Sequence, residues 1–210
     1  AMHPRLLLLD EPLSALDQPT RLRLRRELRN LLKAAEVPAI LVTHDRHEAA
    51  VLGDDILVMH DGRMIQHGSV NEVFSKPASL DVADILAVET ILPGEVIAMG
   101  EGIATVRING VPLQALAVDL SPGTTEVFVC VRAEDVSISL SDGPGASPRN
   151  RLAAVVTDHH REGPLVSVRL DCGFPLTALL TPHGCEELGI ETGIHVTAVI
   201  KAPKIHLISR

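Results

Sequence analysis

Two adjacent carboxylates, Asp10 and Glu11, follow the four leucines 6–9, and a second apolar run ends in Thr43-His44-Asp45. A short apolar run that stops at acids reads as a strand with its charges at the C-terminal end. In open α/β sheets ligands gather at that edge. There the first carboxylate can hold Mg2+, directly or through water. The second can orient or deprotonate an attacking water. His44, at the same edge, can contact a terminal phosphate. Ser14-Ala15-Leu16-Asp17 comes just after the acids, where a loop would face a partner subunit. His47, one turn beyond His44, reads as a surface histidine.

These residues need elements to hold them. Residues 5–9 read as a strand buried on both faces, as in a parallel sheet. Residues 18–36 read as a helix with Asp17 as N-cap, Pro19 in the first turn and Leu24, Leu28, Leu31 and Leu32 on one face. Val37-Pro38 ends it. Residues 39–43 read as a second buried strand, and 45–52 as a short helix stopped by Gly53. Asp55–His60 and Arg63–His67 flank Asp61-Gly62, which predicts a hairpin. One more short helix is expected over 69–76. Strand–helix–strand–helix is an α/β layout.

After about residue 88 the texture changes to short Val/Ile-rich alternating runs broken by Gly and Pro, the pattern of a small β-barrel or sandwich. The pattern then repeats. LPGEVIAM, IATVRINGVPLQALAV and EVFVCVRAEDVSIS are matched by LAAVVTDH, LVSVRLDCGFPLTALLT and HVTAVIKAPKIHLIS. This is an internal duplication, and two copies predict two small barrels side by side. Residues 141–149 read as a loop between them.

Composition narrows the function. The 210 residues carry a net charge of −8, without Trp or Tyr and with three Phe. An acidic chain without aromatic stacking platforms is not built for nucleic acid. Three cysteines (Cys130, Cys172, Cys185) make no CxxC pair and read as packing residues of a reducing compartment.

LLLLDEP resembles the Walker B motif of ABC-transporter ATPases, SALD their D-loop and LVTHD their switch-histidine motif, in the family's order and spacing. DILVMHDGRMIQHGSVNEVFSKP is similar to the end of such a domain in the importer class. The resemblance runs from about Pro4 to Pro77. It implies that residues 1–88 are part of an α/β, P-loop NTPase-like ABC ATPase domain. Asp10 would then be the Mg2+ carboxylate, Glu11 the catalytic base and His44 the γ-phosphate contact. Ser14 and Asp17 would belong to the nucleotide-facing D-loop. The family's Walker A loop, Q-loop and LSGGQ signature precede Walker B, and no GxxxxGK[ST] string occurs in these residues. The chain is therefore expected to be the back part of a longer subunit and to hydrolyse no ATP by itself, because the triphosphate lacks its cradle.

The duplicated tail, 89–210, resembles a pair of Mop or TOBE modules, which are OB-like barrels, with copies at about 89–140 and 149–210. SPRN (147–150), PLTALLT (175–181) and AVIKAPKIHLI (198–208) carry that resemblance. It implies an oxyanion site for molybdate or tungstate built from Ser147, Arg149, Asn150, Thr181 and Lys201, the kinds of donor an oxyanion needs. Mop modules read SARN and IKAS. This chain has Pro148 and Pro203 instead, and Pro203 removes a backbone N–H at that place. VRAEDV (Val131–Val136) in the first copy is closer to the generic tail of sugar, polyamine and sulfate importers.

Taken together, the resemblance implies the ATP-binding subunit of a molybdate or tungstate importer. It would act as a homodimer with ATP and Mg2+, on the cytoplasmic face of the inner membrane, beside permease subunits. Two alternatives stay open at this point. One is a free-standing oxyanion-binding or storage protein. The other is an importer ATPase for sulfate, iron or a sugar.

Overall fold

The computed structural model describes residues 4–118, 120–140 and 150–210, and the chain divides into two compact units, residues 1–74 and 75–210.

In the first unit, β1 (Leu7–Asp10) pairs in parallel with β2 (Ala39–Val42), from Leu7 opposite Ala39 to Asp10 opposite Val42. Between them runs α1 (Gln18–Ala35). Asp17 caps it: its Oδ2 accepts the Thr20 N–H at 3.2 Å, and Pro19 occupies the first turn, where a missing N–H costs nothing. The helix α2 (Arg46–Leu52) starts at Asp45, whose carboxylate accepts the His47 and Glu48 N–H groups. It stops at Gly53, but not through a left-handed turn, because φ there is −74°. Glycine is required for room: a Cβ would sit 2.9 Å from the Ala49 carbonyl oxygen. β3 (Asp55–His60) and β4 (Arg63–Ser69) form the expected hairpin. Asp61 and Gly62 both have positive φ (47° and 72°), as a type I′ turn demands. The short α3 (Val70–Ser75) follows.

Two expectations fail here. β1 and β2 are not buried on both faces: Leu8 is 70% exposed, and Ile40 and Val42 are also exposed. The sheet has only these two strands among the described residues, and burying both faces takes layers above and below. On α1, Leu24, Leu28 and Leu32 are half-buried while Leu31 is exposed. The buried side chain on this helix is Arg25.

The second unit begins with α4 (Leu80–Ile85), capped by Ser79, whose Ala83 packs with Val88, Cys130 and Ile208. The strands of the first copy are β5 (Thr90–Gly100), β6 (Ile103–Ile108), β7 (Val111–Leu116), β8 (Glu126–Val131) and β9 (Ser137–Ser139). Those of the second are β10 (Asn150–Glu162), β11 (Leu165–Asp171), β12 (Pro175–Leu180), β13 (His195–Ile200) and β14 (Ile205–Ser209), with α5 (Pro182–Glu187) after β12. The duplication extends to irregularities. β5 breaks register against β6 between Val96 and Ala98, and β10 against β11 between Val156 and Asp158.

The two five-stranded sheets are not each built from one copy. One sheet runs β7-β6-β5-β8-β14 and the other β12-β11-β10-β13-β9. Each copy keeps four strands and gives its last to the other. A single 3-10 turn precedes each crossing: Ala133–Asp135 lies against β12, and Ala202–Lys204 against β7. The result is one apolar core, with Leu113 and Val129 of the first copy in the same cluster as Leu176 and Ile200 of the second.

Candidate functional site

In the first unit, β1 delivers Asp10 and Glu11 to the C-terminal edge of the sheet, and β2 delivers Thr43 and His44 to the same edge. The Glu11 N–H donates to the Val42 carbonyl at 2.9 Å, which ties the two strand ends together. Glu11 has φ 46°, a left-handed conformation rarely taken by a residue with a side chain, and it precedes Pro12, which disfavours helical geometry. Such outliers cost about 1–3 kcal/mol and persist where the surroundings over-determine them.

The surroundings here do. Glu11 Oε1 lies 2.7 Å from His44 Nδ1 and accepts the His44 backbone N–H at 3.0 Å. The Glu11 carbonyl accepts the Ser14 hydroxyl at 2.9 Å and the Ser14 N–H at 3.2 Å. The hydrogen bond from His44 to the Glu11 carboxylate, with the charge behind it, raises the imidazole pKa above its ordinary value. A carboxylate and an imidazole in direct contact can hold and pass a proton.

Asp10 ends β1 exposed beside this pair. Among the described residues no three His, Cys, Asp or Glu side chains converge on a metal position. A single carboxylate suits Mg2+, which keeps its waters and takes phosphate oxygens for the rest of its shell. Ser14 and Asp17 are engaged locally, Ser14 with Glu11 and Asp17 as the α1 cap. The Thr20 hydroxyl and N–H hold the Asp17 carboxyl below the usual range.

Sequence reasoning missed what supports His44. Asp45 Oδ2 lies 3.2 Å from Arg25 Nη2 and 3.8 Å from Arg21 Nη1. Burial pushes the Asp45 pKa up, but the Glu48 and His47 N–H groups and Arg25 together bring it below the ordinary value. The Thr43 hydroxyl accepts the Asp45 N–H at 3.0 Å and donates to Glu48, which is buried. The signal for the arginines was present: Arg21 and Arg25 fall on the same helical stripe as Leu24, Leu28 and Leu32.

In the second unit, Ser147, Pro148 and Arg149 lie outside the described residues. Asn150 is buried and used as a clamp: its Oδ1 accepts the Gln114 N–H at 2.7 Å, and its Nδ2 donates to the Gln114 carbonyl at 2.8 Å. Lys201 follows the strand partner of Asn150 and leads into the turn closed by the Lys204 N–H on the Lys201 carbonyl. Thr181 is not brought to this end. It follows Leu180, which is level with Val166 and through it with Arg161, at the far end of β10 from Asn150. Its hydroxyl caps α5 by accepting the Gly184 N–H. The first copy has Thr90 at the position of Asn150. It also places Glu89 against its own turn, where Glu89 Oε2 accepts the Ala133 N–H at 3.1 Å.

Residues 146–207 match the model of the TOBE domain. The chain is 38% identical to the molybdate/tungstate import ATP-binding protein WtpC of Pyrococcus horikoshii, over 97% of this chain and 56% of that protein. It is 35% identical to the Fe(3+) ions import ATP-binding protein FbpC of Brucella abortus, over 75% of this chain and 44% of that protein. It thus spans about half the length of the curated relatives it matches. Among solved structures, the cytoplasmic molybdate-binding protein ModG with molybdate bound is similar at a TM-score of 0.50 and 27% identity, over 59% of this chain and 98% of that one.

Proposed function

From the premise that this chain is a homologue of ABC-importer ATP-binding proteins and carries a TOBE domain, we propose that it supplies the hydrolytic edge of an importer ATPase and an oxyanion-sensing tail. The observation that carries the first part is the 2.7 Å contact between Glu11 and His44 beside Asp10. In this reading residues 4–77 are α/β and P-loop NTPase-like, and 89–210 form the OB-like regulatory pair. Asp10 would hold Mg2+, which neutralises phosphate charge when bound. Glu11 would take the proton of the attacking water, and His44 would stay on Glu11 and reach the terminal phosphate. The segment 14–17 would face the second copy of a homodimer. The complete subunit would work with ATP and Mg2+ at the cytoplasmic face of the membrane beside permease subunits.

The second part rests on identity and coverage. Molybdate/tungstate relatives align over 157 to 206 residues at 37–43% identity, whereas the iron relatives align over 158 at 34–35%. The molybdate-binding ModG covers more of this chain than the first unit contains. Molybdate or tungstate is therefore the favoured solute over iron, sulfate or a sugar.

Calorimetric titration with molybdate, then tungstate and sulfate as competitors, tests this. Saturable binding at micromolar concentration or tighter, with sulfate failing to compete, is the expected result. Absence of heat with all three would remove the oxyanion reading and leave the tail as a structural module.

A further inference from the structure

We propose that Arg21 is a positioning residue that couples the loop 14–17 to His44. Its guanidinium is divided between two loops. Nη2 donates to the Leu16 carbonyl at 2.9 Å and reaches the Ser14 carbonyl at 3.4 Å. Nη1 faces Asp45 at 3.8 Å. Asp45 adjoins His44, His44 bonds Glu11, and the Glu11 carbonyl receives the Ser14 hydroxyl. The contacts therefore close a ring: Glu11, His44, Asp45, Arg21, Ser14 and back to Glu11.

As in Arg25, the Arg21 Nε is buried without a hydrogen-bond partner, so the terminal nitrogens make all the polar contacts of this side chain. What sets Arg21 apart is that these nitrogens serve both loops. A planar two-pronged cation can satisfy both at once, whereas an ammonium on a flexible stem acts as a single point. Arg25, one turn on, reaches Asp45 but makes no bond to the loop 14–17 among the contacts at this edge. A displacement of that loop, the segment proposed to face a second copy, is thereby passed to the residue that holds the Glu11 carboxylate.

For ATP hydrolysis this inference rests on the function proposed above; the coupling itself does not. Amide hydrogen exchange on the whole chain tests it. In Arg21→Ala the His44 N–H, which bonds Glu11, should exchange at least tenfold faster. The Leu7 N–H, bonded to the Pro38 carbonyl at the other end of the sheet, should stay within about twofold of wild type. Arg21→Lys should recover part of the protection, and Ser14→Ala, which leaves only the Ser14 N–H on the Glu11 carbonyl, should loosen His44 to a smaller extent. Arg25→Ala should leave the Ser14 N–H unchanged. Equal acceleration of Leu7 and His44 would make Arg21 an ordinary stabilising residue. An unaltered His44 in both Arg21→Ala and Ser14→Ala would end the proposal. Either result leaves the oxyanion titration and the hydrolysis reading untouched.

Discussion

Glu11 and His44, 33 residues apart in the chain, meet through two bonds to one carboxylate oxygen, Oε1. The imidazole is exposed, so its raised pKa comes from that contact and not from burial. A group raised on folding contributes stability that is complete below its unfolded value, about 6.5. The contribution fades as pH rises through the folded value. The Tm difference between wild type and Glu11→Gln should therefore be widest in mild acid and shrink toward alkaline pH. A difference that grows with pH would mean that the carboxylate does not hold the imidazolium.

The two capping aspartates should differ sharply in cost. Asp17→Ala removes one hydrogen bond at an exposed helix end and should lower stability only slightly. Asp45→Ala removes a cap and strands Arg25, which is buried, so about 3 kcal/mol or more is expected. Denaturant midpoints for the two variants, compared at equal slope, decide this. Similar losses would show that Arg25 finds another partner.

Asn150 satisfies a backbone donor and acceptor on a strand belonging to the other copy. Asn150→Ala leaves both unmet inside the protein and should cost about 3 kcal/mol. Chemical denaturation monitored by circular dichroism would show it. A loss under 1 kcal/mol would mean that water replaces the amide.

The exchanged strands make a prediction about pieces. Residues 149–210 alone own β14 but lack the strand that seats beside β13. Two such pieces can trade β14 and complete each other, so light scattering should give a dimer. A well-folded monomer would show that the fifth strand is dispensable.

Much of this was legible. The Asp17 cap, the Asp61-Gly62 turn and the duplication follow from local chemistry that few neighbours can override. What was not legible depends on distant partners. An apolar run such as leucines 6–9 implies cover, but Leu8 is exposed because its sheet has only one other strand here. Arg25 looks like any solvated arginine until Asp45 is placed beside it. Alternation marks β9 and β14 as strands without saying which sheet they enter. Thr181 joined the oxyanion set by motif, and the register sets it apart from Asn150.

The reciprocal gift of last strands also shapes what can change over generations. Positions that would be identical in a dimer of equal copies have diverged here: Thr90 stands for Asn150, and Asp135 sits 2.8 Å from Lys204, its own counterpart, as an ion pair. Two identical copies would set like beside like at that place. Each repeat is now the better-matched mate of the other: a dimer of either one alone would set like charges together where this chain pairs opposite ones.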